Sequence, residues 1–282
     1  MKNDSYLAGN LLKFDSFFQR ICTEGCDMIK GFLNHEWYLQ ARAAAERVWS
    51  CKQTRFDIIC FPYLWLCEDD MWDLVNSGLA RVVKVTHKPE VLRDKLKSLV
   101  YGKTWNEAQN SAFELEVICT FARASVLSDI ACKIKAKSGS NVDALIRLNQ
   151  RDIYVEATRI NRNLVDPDVR SGSMSVDDMI WQVTRKLLGK TKNGFQLGLV
   201  EGPSLLAIAL PERGATQTTA RWCMEENLES FSNVSAVSIS TKGRFIGSKW
   251  YVNPASRWPL TLTEMEVLAR ILGSCPQTID ID

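Results

Sequence analysis

An alternation of apolar and polar residues, interrupted once by a turn-forming tetrapeptide, sets the strongest limit on the fold of this chain. The run is VDALIRLNQRDIYVEAT, from Val142 to Thr158, and NQRD divides it. A period of two is the pattern of a β-strand whose two faces meet different surroundings. The run therefore predicts an antiparallel hairpin with Gln150 and Arg151 at its tip.

The predicted hairpin brings two acidic residues onto one face. In this register Asp143 lies opposite Thr158. Glu156 is its diagonal neighbour on the other strand, with ~7–8 Å between their backbones. Two carboxylates at that separation can bind one hard cation, whose oxygen ligands lie at ~2.1 Å. The alternative interpretation is that both acids form surface ion pairs with Arg147, Arg151 or nearby lysines.

A helix predicted over Trp105–Ala124 supplies a third acidic residue. Helical spacing places Glu114 on its apolar face and Glu116 on its outward face. A carboxylate on a buried face is costly unless it is paired, protonated or metal-bound. The three residues Glu114, Asp143 and Glu156 therefore predict a divalent-metal site, held by a helix and a sheet.

The first hundred residues have the apolar spacing of helices and no chemical motif. Helices are predicted within 6–50 and over 89–100. The apolar run 56–66 is predicted to be a buried strand ending at its proline, or a loop covering the core. Residues 68–80 predict a short helix stopped by its glycine, and 80–87 a strand. We expect this region to serve recognition, regulation or oligomerisation.

Beyond the hairpin, helices and strands are predicted to alternate, which is typical of an α/β protein with a mixed sheet and helices on both faces. The predicted elements are a helix starting at Ser175, a strand over 203–211, a helix over 218–231, a strand over 233–241 and a closing helix capped at Thr261 or Thr263.

Composition excludes several classes of protein. Of 282 residues, 46% are hydrophobic and 24% charged, as in an ordinary globular protein. No stretch approaches the ~20 apolar residues of a membrane span. The nine cysteines show no pairing rhythm, which favours reduced thiols. With two histidines, a histidine-rich metal site is excluded. We expect a soluble, cytoplasmic protein without membrane partners.

The residues FEL (113–115), the hairpin run, and KLLGKTKNGFQL (186–197) before PSLLAIAL resemble the PD-(D/E)xK phosphodiesterase superfamily over residues 105–212. The resemblance implies a restriction-endonuclease-like sheet, ordered helix, three-strand meander, helix, strand, helix, strand. Together with the helical spacing of the first hundred residues, it predicts a mostly helical region at 1–100 and a nuclease-like domain at 101–282. It also implies catalysis with Mg²⁺ or Mn²⁺, held by Glu114, Asp143, Glu156 and the Ala157 carbonyl.

Thr158 departs from the family pattern, because it stands where the motif has lysine. Arg159 is adjacent but faces the other way by alternation. The sequence is similar in this respect to viral cap-snatching endonucleases, which have ExT and a lysine from the following helix. Lys186 and Lys190 are the first candidates for that lysine, and Lys135 is the next.

The resemblance implies a nuclease that hydrolyses phosphodiester bonds in DNA, with RNA left open, in a restriction, mobile-element or anti-phage setting. The alternatives are an inactive nuclease-like module that binds nucleic acid or a protein partner, and a helical interaction protein whose acidic residues are structural. Trp250, Tyr251 and Trp258 either stack on bases or belong to the core. The candidate nucleic-acid contacts are Lys133, Lys135, Lys137, Arg159, Arg162, Arg170, Arg185 and Lys192.

Overall fold

The structure is a computed structural model. It describes residues 2–50, 56–86, 88–133, 141–160, 181, 184–185, 189–190, 196–210, 231–240 and 244–277. The chain forms two compact units, residues 1–115 and 116–282. The sequence predicts the division at residue 100, and the structure divides the chain after Leu115. The predicted helix over 218–231 and most of the helix from Ser175 lie outside the described residues.

The first unit is helical. Three aromatic rings lie at its centre: Phe14 is 4.6 Å from Tyr63 and 5.9 Å from Trp37, measured between ring centroids. The predicted helices within 6–50 and over 89–100 are confirmed. The helices are α1 (Lys2–Glu24), α2 (Asp27–Phe32), α3 (His35–Trp49), α4 (Phe61–Leu66), α5 (Asp69–Val85), α6 (Pro89–Tyr101) and the first part of α7 (Trp105–Arg123).

Two segments of this unit are helical where the sequence predicts otherwise: 58–66, predicted as a strand or a covering loop, and 80–85, predicted as a strand. A 3₁₀ helix at Ile58–Cys60 leads into α4, where Pro62 occupies the first turn. Pro62 does not interrupt the helix there, because the backbone N–H that proline lacks has no intrahelical partner in the first turn. Helix α5 likewise runs through Gly78, since Leu79 and Val82 continue its buried face at helical spacing. The prediction of a helix stop and a following strand was wrong.

The second unit contains a sheet of six strands in chain order. The first three form an antiparallel meander, β4 and β5 continue parallel to β3, and β6 is antiparallel. The α/β class and the mixed sheet are confirmed. The elements are β1 (Leu127–Lys133), β2 (Asn141–Leu148), β3 (Arg151–Arg159), β4 (Ser204–Ala209), β5 (Ala236–Ser240), β6 (Lys249–Val252), a 3₁₀ helix at Gln196–Leu199 and α8 (Leu262–Leu272).

The core of this unit lies on the middle of the sheet. Every residue of β4 and β5 is buried, as expected for strands with a neighbour on each side. The predicted strands over 203–211 and 233–241 are thus confirmed. The closing helix α8 begins as predicted at Thr261, whose hydroxyl accepts the Glu264 N–H while the Glu264 carboxylate accepts the Thr261 N–H.

The β2–β3 hairpin differs from prediction in its tip and agrees in its faces. Asn149 and Gln150 form the turn with φ of 49° and 67°, the left-handed values that a tight two-residue hairpin turn requires. Leu148 therefore pairs with Arg151, so the register differs by two residues from the predicted one. A shift of two preserves the faces, and Asp143 remains on the same face as Glu156.

No helix among the described residues has both the length and the apolar character that crossing a membrane requires.

Candidate metal centre

The two hairpin carboxylates lie just beyond the last recorded β2–β3 pair. Backbone pairing runs as far as Ala144 opposite Val155. Continuing that register places Asp143 directly opposite Glu156, with Cβ atoms ~5 Å apart. The predicted arrangement is diagonal, so the structure brings the two acids closer together than the sequence does.

The Asp143 carboxylate reaches across to β3. Its Oδ2 accepts the Ala157 N–H at 2.9 Å. Strand residues on either side of Ala157 direct their N–H groups toward β4, as Tyr154 does to the Pro203 carbonyl. Ala157 therefore faces β2, and a side-chain carboxylate replaces a backbone acceptor at this position.

The backbone carbonyl of Ala157 faces the same edge. In an antiparallel pair, the N–H and C=O of one residue point to the same neighbouring strand. Since the Ala157 N–H meets the Asp143 carboxylate, its carbonyl is directed toward β2 as well. Two carboxylates and a carbonyl thus provide three oxygen donors along one strand edge. Oxygen is the donor that Mg²⁺ and Mn²⁺ prefer, so the donor set fits the implied metal.

The Glu156 carboxylate is buried and forms an ion pair with a lysine. Its side chain is 2% exposed, and the Lys190 Nζ lies 2.5 Å from its Oε1. The described residues between 181 and 190, including Lys190, are helical. The structure thus brings one of the two first-ranked lysines to the predicted site. Lys186 and Lys135 lie outside the described residues.

Thr158 occupies the same face as Glu156, two residues further along β3, and is buried. A hydroxyl can donate and accept a hydrogen bond, but it carries no positive charge. The cation that the structure places beside Glu156 is Lys190, from another part of the chain.

The helix α7 reverses the predicted burial of its two glutamates. Glu116 is 1% exposed, and its Oε1 accepts the Phe245 N–H at 2.7 Å. The Glu114 side chain is 25% exposed and forms an ion pair with Lys95 in the first unit. The prediction that Glu116 faces outward was wrong. The helix is buried on nearly every side from Ala112 onward, so its spacing does not distinguish a core face.

Sequence reasoning therefore missed Glu116 as a buried anchor for the loop between β5 and β6. The available signal was the composition of α7 from Ala112 onward, because a helical stretch that is apolar on nearly every side leaves any carboxylate on it in need of a partner. In the parts of the chain that the structure describes, no three His, Cys, Asp or Glu side chains lie close enough together to hold a metal ion.

The residues predicted to contact nucleic acid differ in their exposure. Arg159 is buried, whereas Arg185 is exposed with its guanidinium 5.3 Å from the centre of the Trp181 ring. Lys133 lies at the end of β1. Trp250 and Tyr251 are buried in β6 and belong to the core, the second of their two interpretations. The remaining candidates, Lys135, Lys137, Arg162, Arg170 and Lys192, lie outside the described residues.

Comparisons with protein-family models, with curated proteins and with solved structures found no match for this chain.

Proposed function

We propose that this chain is a divalent-metal-dependent nuclease that hydrolyses phosphodiester bonds in DNA or RNA. One observation carries the proposal: the Lys190 ammonium contacts the buried Glu156 carboxylate, and the β2–β3 register, continued by one pair beyond Ala144 and Val155, sets Asp143 opposite Glu156. Two carboxylates and one lysine are the charged groups of the PD-(D/E)xK pattern. In this chain the lysine comes from a helical residue outside the hairpin.

The order of elements supports a restriction-endonuclease-like arrangement. A helix, α7, precedes the antiparallel meander β1–β3, and β4 then joins β3 in parallel. The resemblance implies this succession. It also implies a helix between β3 and β4, in agreement with the helical residues near Lys190.

Asp143, Glu156 and the Ala157 carbonyl would hold the metal, because hard cations take oxygen ligands. When bound, Mg²⁺ or Mn²⁺ supplies an acidified water and offsets the negative charge that develops on the phosphoryl group. Glu114 as a further ligand stays a prediction.

Three side chains of the protein would take part in the reaction: Asp143, Glu156 and Lys190. Asp143 is fixed in orientation by the Ala157 N–H, so its carboxylate enters the site without rearranging. Glu156 is held in a buried position by the sheet on both sides. The Lys190 ammonium has three N–H donors, enough to keep Glu156 as a partner while orienting a water or a phosphate oxygen.

The second candidate function is an inactive nuclease-like module that binds nucleic acid or a protein. One observation favours it: the Glu156 carboxylate already has a compensating cation in Lys190, as a purely structural buried ion pair would. The two functions differ in whether this site binds a divalent cation.

Mn²⁺ titration by isothermal calorimetry, with the full chain, separates the two. We expect wild type to bind Mn²⁺ and to cleave plasmid, single-stranded DNA or RNA. Asp143→Asn should abolish both, because it removes the charge and keeps an oxygen that can accept the Ala157 N–H. Asp152→Asn is the matched control, since Asp152 lies on the same face of the hairpin but pairs with Arg147 in solvent. A wild-type protein that neither binds Mn²⁺ nor cleaves any of these substrates would leave only the inactive module.

A further inference from the structure

Trp181 differs from every other tryptophan that the structure describes. Its side chain is 56% exposed, whereas Trp37, Trp72 and Trp250 are buried in their units. The others among the described residues are at least partly covered. An indole buries a large apolar surface when it belongs to a core, so an indole left open on a helix is available to a ligand.

The exposed ring is paired with a cation. The Arg185 guanidinium lies 5.3 Å from the centre of the Trp181 ring, within the range of a cation–π contact. Both residues are helical, and residues four apart share one helical face. The contact gives the ring a preferred position and sets a positive charge beside its flat surface.

The surrounding sequence is rich in basic residues. Residues 179–200 contain Arg185, Lys186, Lys190 and Lys192 and no aspartate or glutamate, between Asp177 and Asp178 on one side and Glu201 on the other. This local excess contrasts with the net charge of +2 for the whole chain. A cationic segment with an exposed aromatic ring matches the two components of single-strand recognition, a charged path for phosphates and a flat surface for bases.

The same segment reaches the candidate metal centre. Lys190, which contacts Glu156, follows Arg185 by five residues. Trp181 and Lys190 are nine residues apart in the sequence, so at most ~32 Å of extended chain separates them. A short oligonucleotide spans that distance, so one strand could contact both places.

We propose that Trp181 and Arg185 form a stacking site for an unpaired nucleobase, which makes single-stranded nucleic acid the preferred substrate. The inference rests on the proposed nuclease function and specifies its substrate class. Bases within a duplex are already stacked on their neighbours and present only their edges, so a duplex cannot place a base on the Trp181 ring. Arg185 contacts the phosphate next to the stacked base.

The test is fluorescence anisotropy with a fluorescein-labelled oligodeoxythymidylate of ~12 nucleotides, a length within the site sizes of single-strand binding proteins. The comparison ligands are a blunt duplex and an abasic oligomer of equal length. EDTA in the buffer prevents cleavage. We expect wild type to bind the thymidylate oligomer more tightly than either comparison ligand, since only that oligomer offers free bases.

Trp181→Ala should weaken thymidylate binding about tenfold and leave abasic-oligomer binding unchanged. Trp181→Phe, which keeps an aromatic face, should stay within about threefold of wild type. Arg185→Lys should lie between the two, because lysine retains the charge and loses the planar group. Tyr6→Ala, which removes an exposed aromatic ring from α1, is the matched control and should bind as wild type does.

The proposal is overturned if Trp181→Ala binds the thymidylate oligomer as wild type does, or if wild type does not distinguish it from the abasic oligomer. Mn²⁺ calorimetry on the same samples separates this failure from that of the nuclease function. Wild type that binds Mn²⁺ and cleaves, with no effect of Trp181→Ala on binding, retains the nuclease and loses the stacking site. Wild type with Trp181-dependent binding but neither Mn²⁺ binding nor cleavage loses the nuclease alone.

Discussion

Two glutamates predicted as metal ligands each pair with a lysine, and their surroundings differ. Glu156 is 2% exposed, with Lys190 at 2.5 Å, at a strand edge that also holds Asp143. Glu114 is 25% exposed, and its pair with Lys95 belongs to the helical unit. A buried carboxylate depends on its cation far more strongly than a partly exposed one does. The pair at Glu156 therefore has the stronger reason to be functional.

The largest expected difference between the two pairs is in catalysis. Lys190→Met should reduce the cleavage rate about 100-fold, the usual effect of removing a charge-stabilising donor from an active site. It should bind Mn²⁺ at least as tightly as wild type, since no ammonium then competes for Glu156. Lys95→Met should cleave at the wild-type rate. Steady-state cleavage and Mn²⁺ calorimetry measure the two effects, and full activity in Lys190→Met would exclude Lys190 as the replacement for the motif lysine.

The same two variants should differ in stability. Lys190→Met leaves the Glu156 carboxylate buried without its cation, and should lower the free energy of unfolding by ~3 kcal/mol. Mn²⁺ should restore part of that loss, because a ligand that binds only the folded state stabilises it. Lys95→Met should cost ~1 kcal/mol or less, as expected for a pair that solvent reaches, and Mn²⁺ should not restore it. Urea unfolding with and without Mn²⁺ measures both; an equal response of the two variants to Mn²⁺ would contradict the comparison.

Glu116 extends the comparison to a carboxylate whose described partner is a backbone group. Glu116→Ala leaves the buried Phe245 N–H without its acceptor and should cost ~1–3 kcal/mol. Glu116→Gln retains an oxygen acceptor and should cost less than half as much. Urea unfolding distinguishes the two. If both variants lose the same free energy, the charge of Glu116 rather than its hydrogen bond stabilises the loop.

The two faces of the hairpin were predictable, because a register shift of two residues leaves every side chain on the same face. The predicted tip was wrong, yet Asp143, Glu156 and Thr158 share a face in both registers. The correct tip depends on Asn149 and Gln150 adopting left-handed φ values, for which the sequence offered a weaker signal than Asn-Gly would.

Burial on α7 was not predictable by the same reasoning. Helical spacing distinguishes faces only when one face is polar, and α7 is buried on nearly every side. Glu116 was therefore assigned to solvent, although tertiary contact with Phe245 buries it. The predictions at Gly78 and Pro62 failed for a related reason. Glycine and proline both disfavour helix, but Gly78 is packed inside α5 and Pro62 lies in the first turn of α4.

Glu114 provides a smaller and more specific test. Glu114→Gln should change the Mn²⁺ affinity by less than about threefold, because its carboxylate is partly exposed and is already paired with Lys95. Glu156→Gln, the matched change in the buried pair, should abolish Mn²⁺ binding. Calorimetry on both variants decides the matter. A loss of affinity in Glu114→Gln comparable to that in Glu156→Gln would identify Glu114 as the third ligand that the sequence predicts.

The smallest effect is expected at Asp15, a third carboxylate with a cationic partner. Burial raises its pKa, but hydrogen bonds from Arg42 and Tyr38 outweigh that effect, and the net pKa is below its ordinary value of 3.8. A carboxylate with a lowered pKa in the folded state stabilises the fold above its unfolded-state pKa, and this contribution is lost as the pH falls through the folded-state value. Asp15→Asn should therefore lower the free energy of unfolding by under ~1 kcal/mol at pH 7 and by less at pH 2. Because solvent reaches this pair, added salt should reduce the difference at pH 7. A difference that grows toward low pH would mean that the pKa of Asp15 is raised by folding, as burial without its two hydrogen-bond donors would raise it.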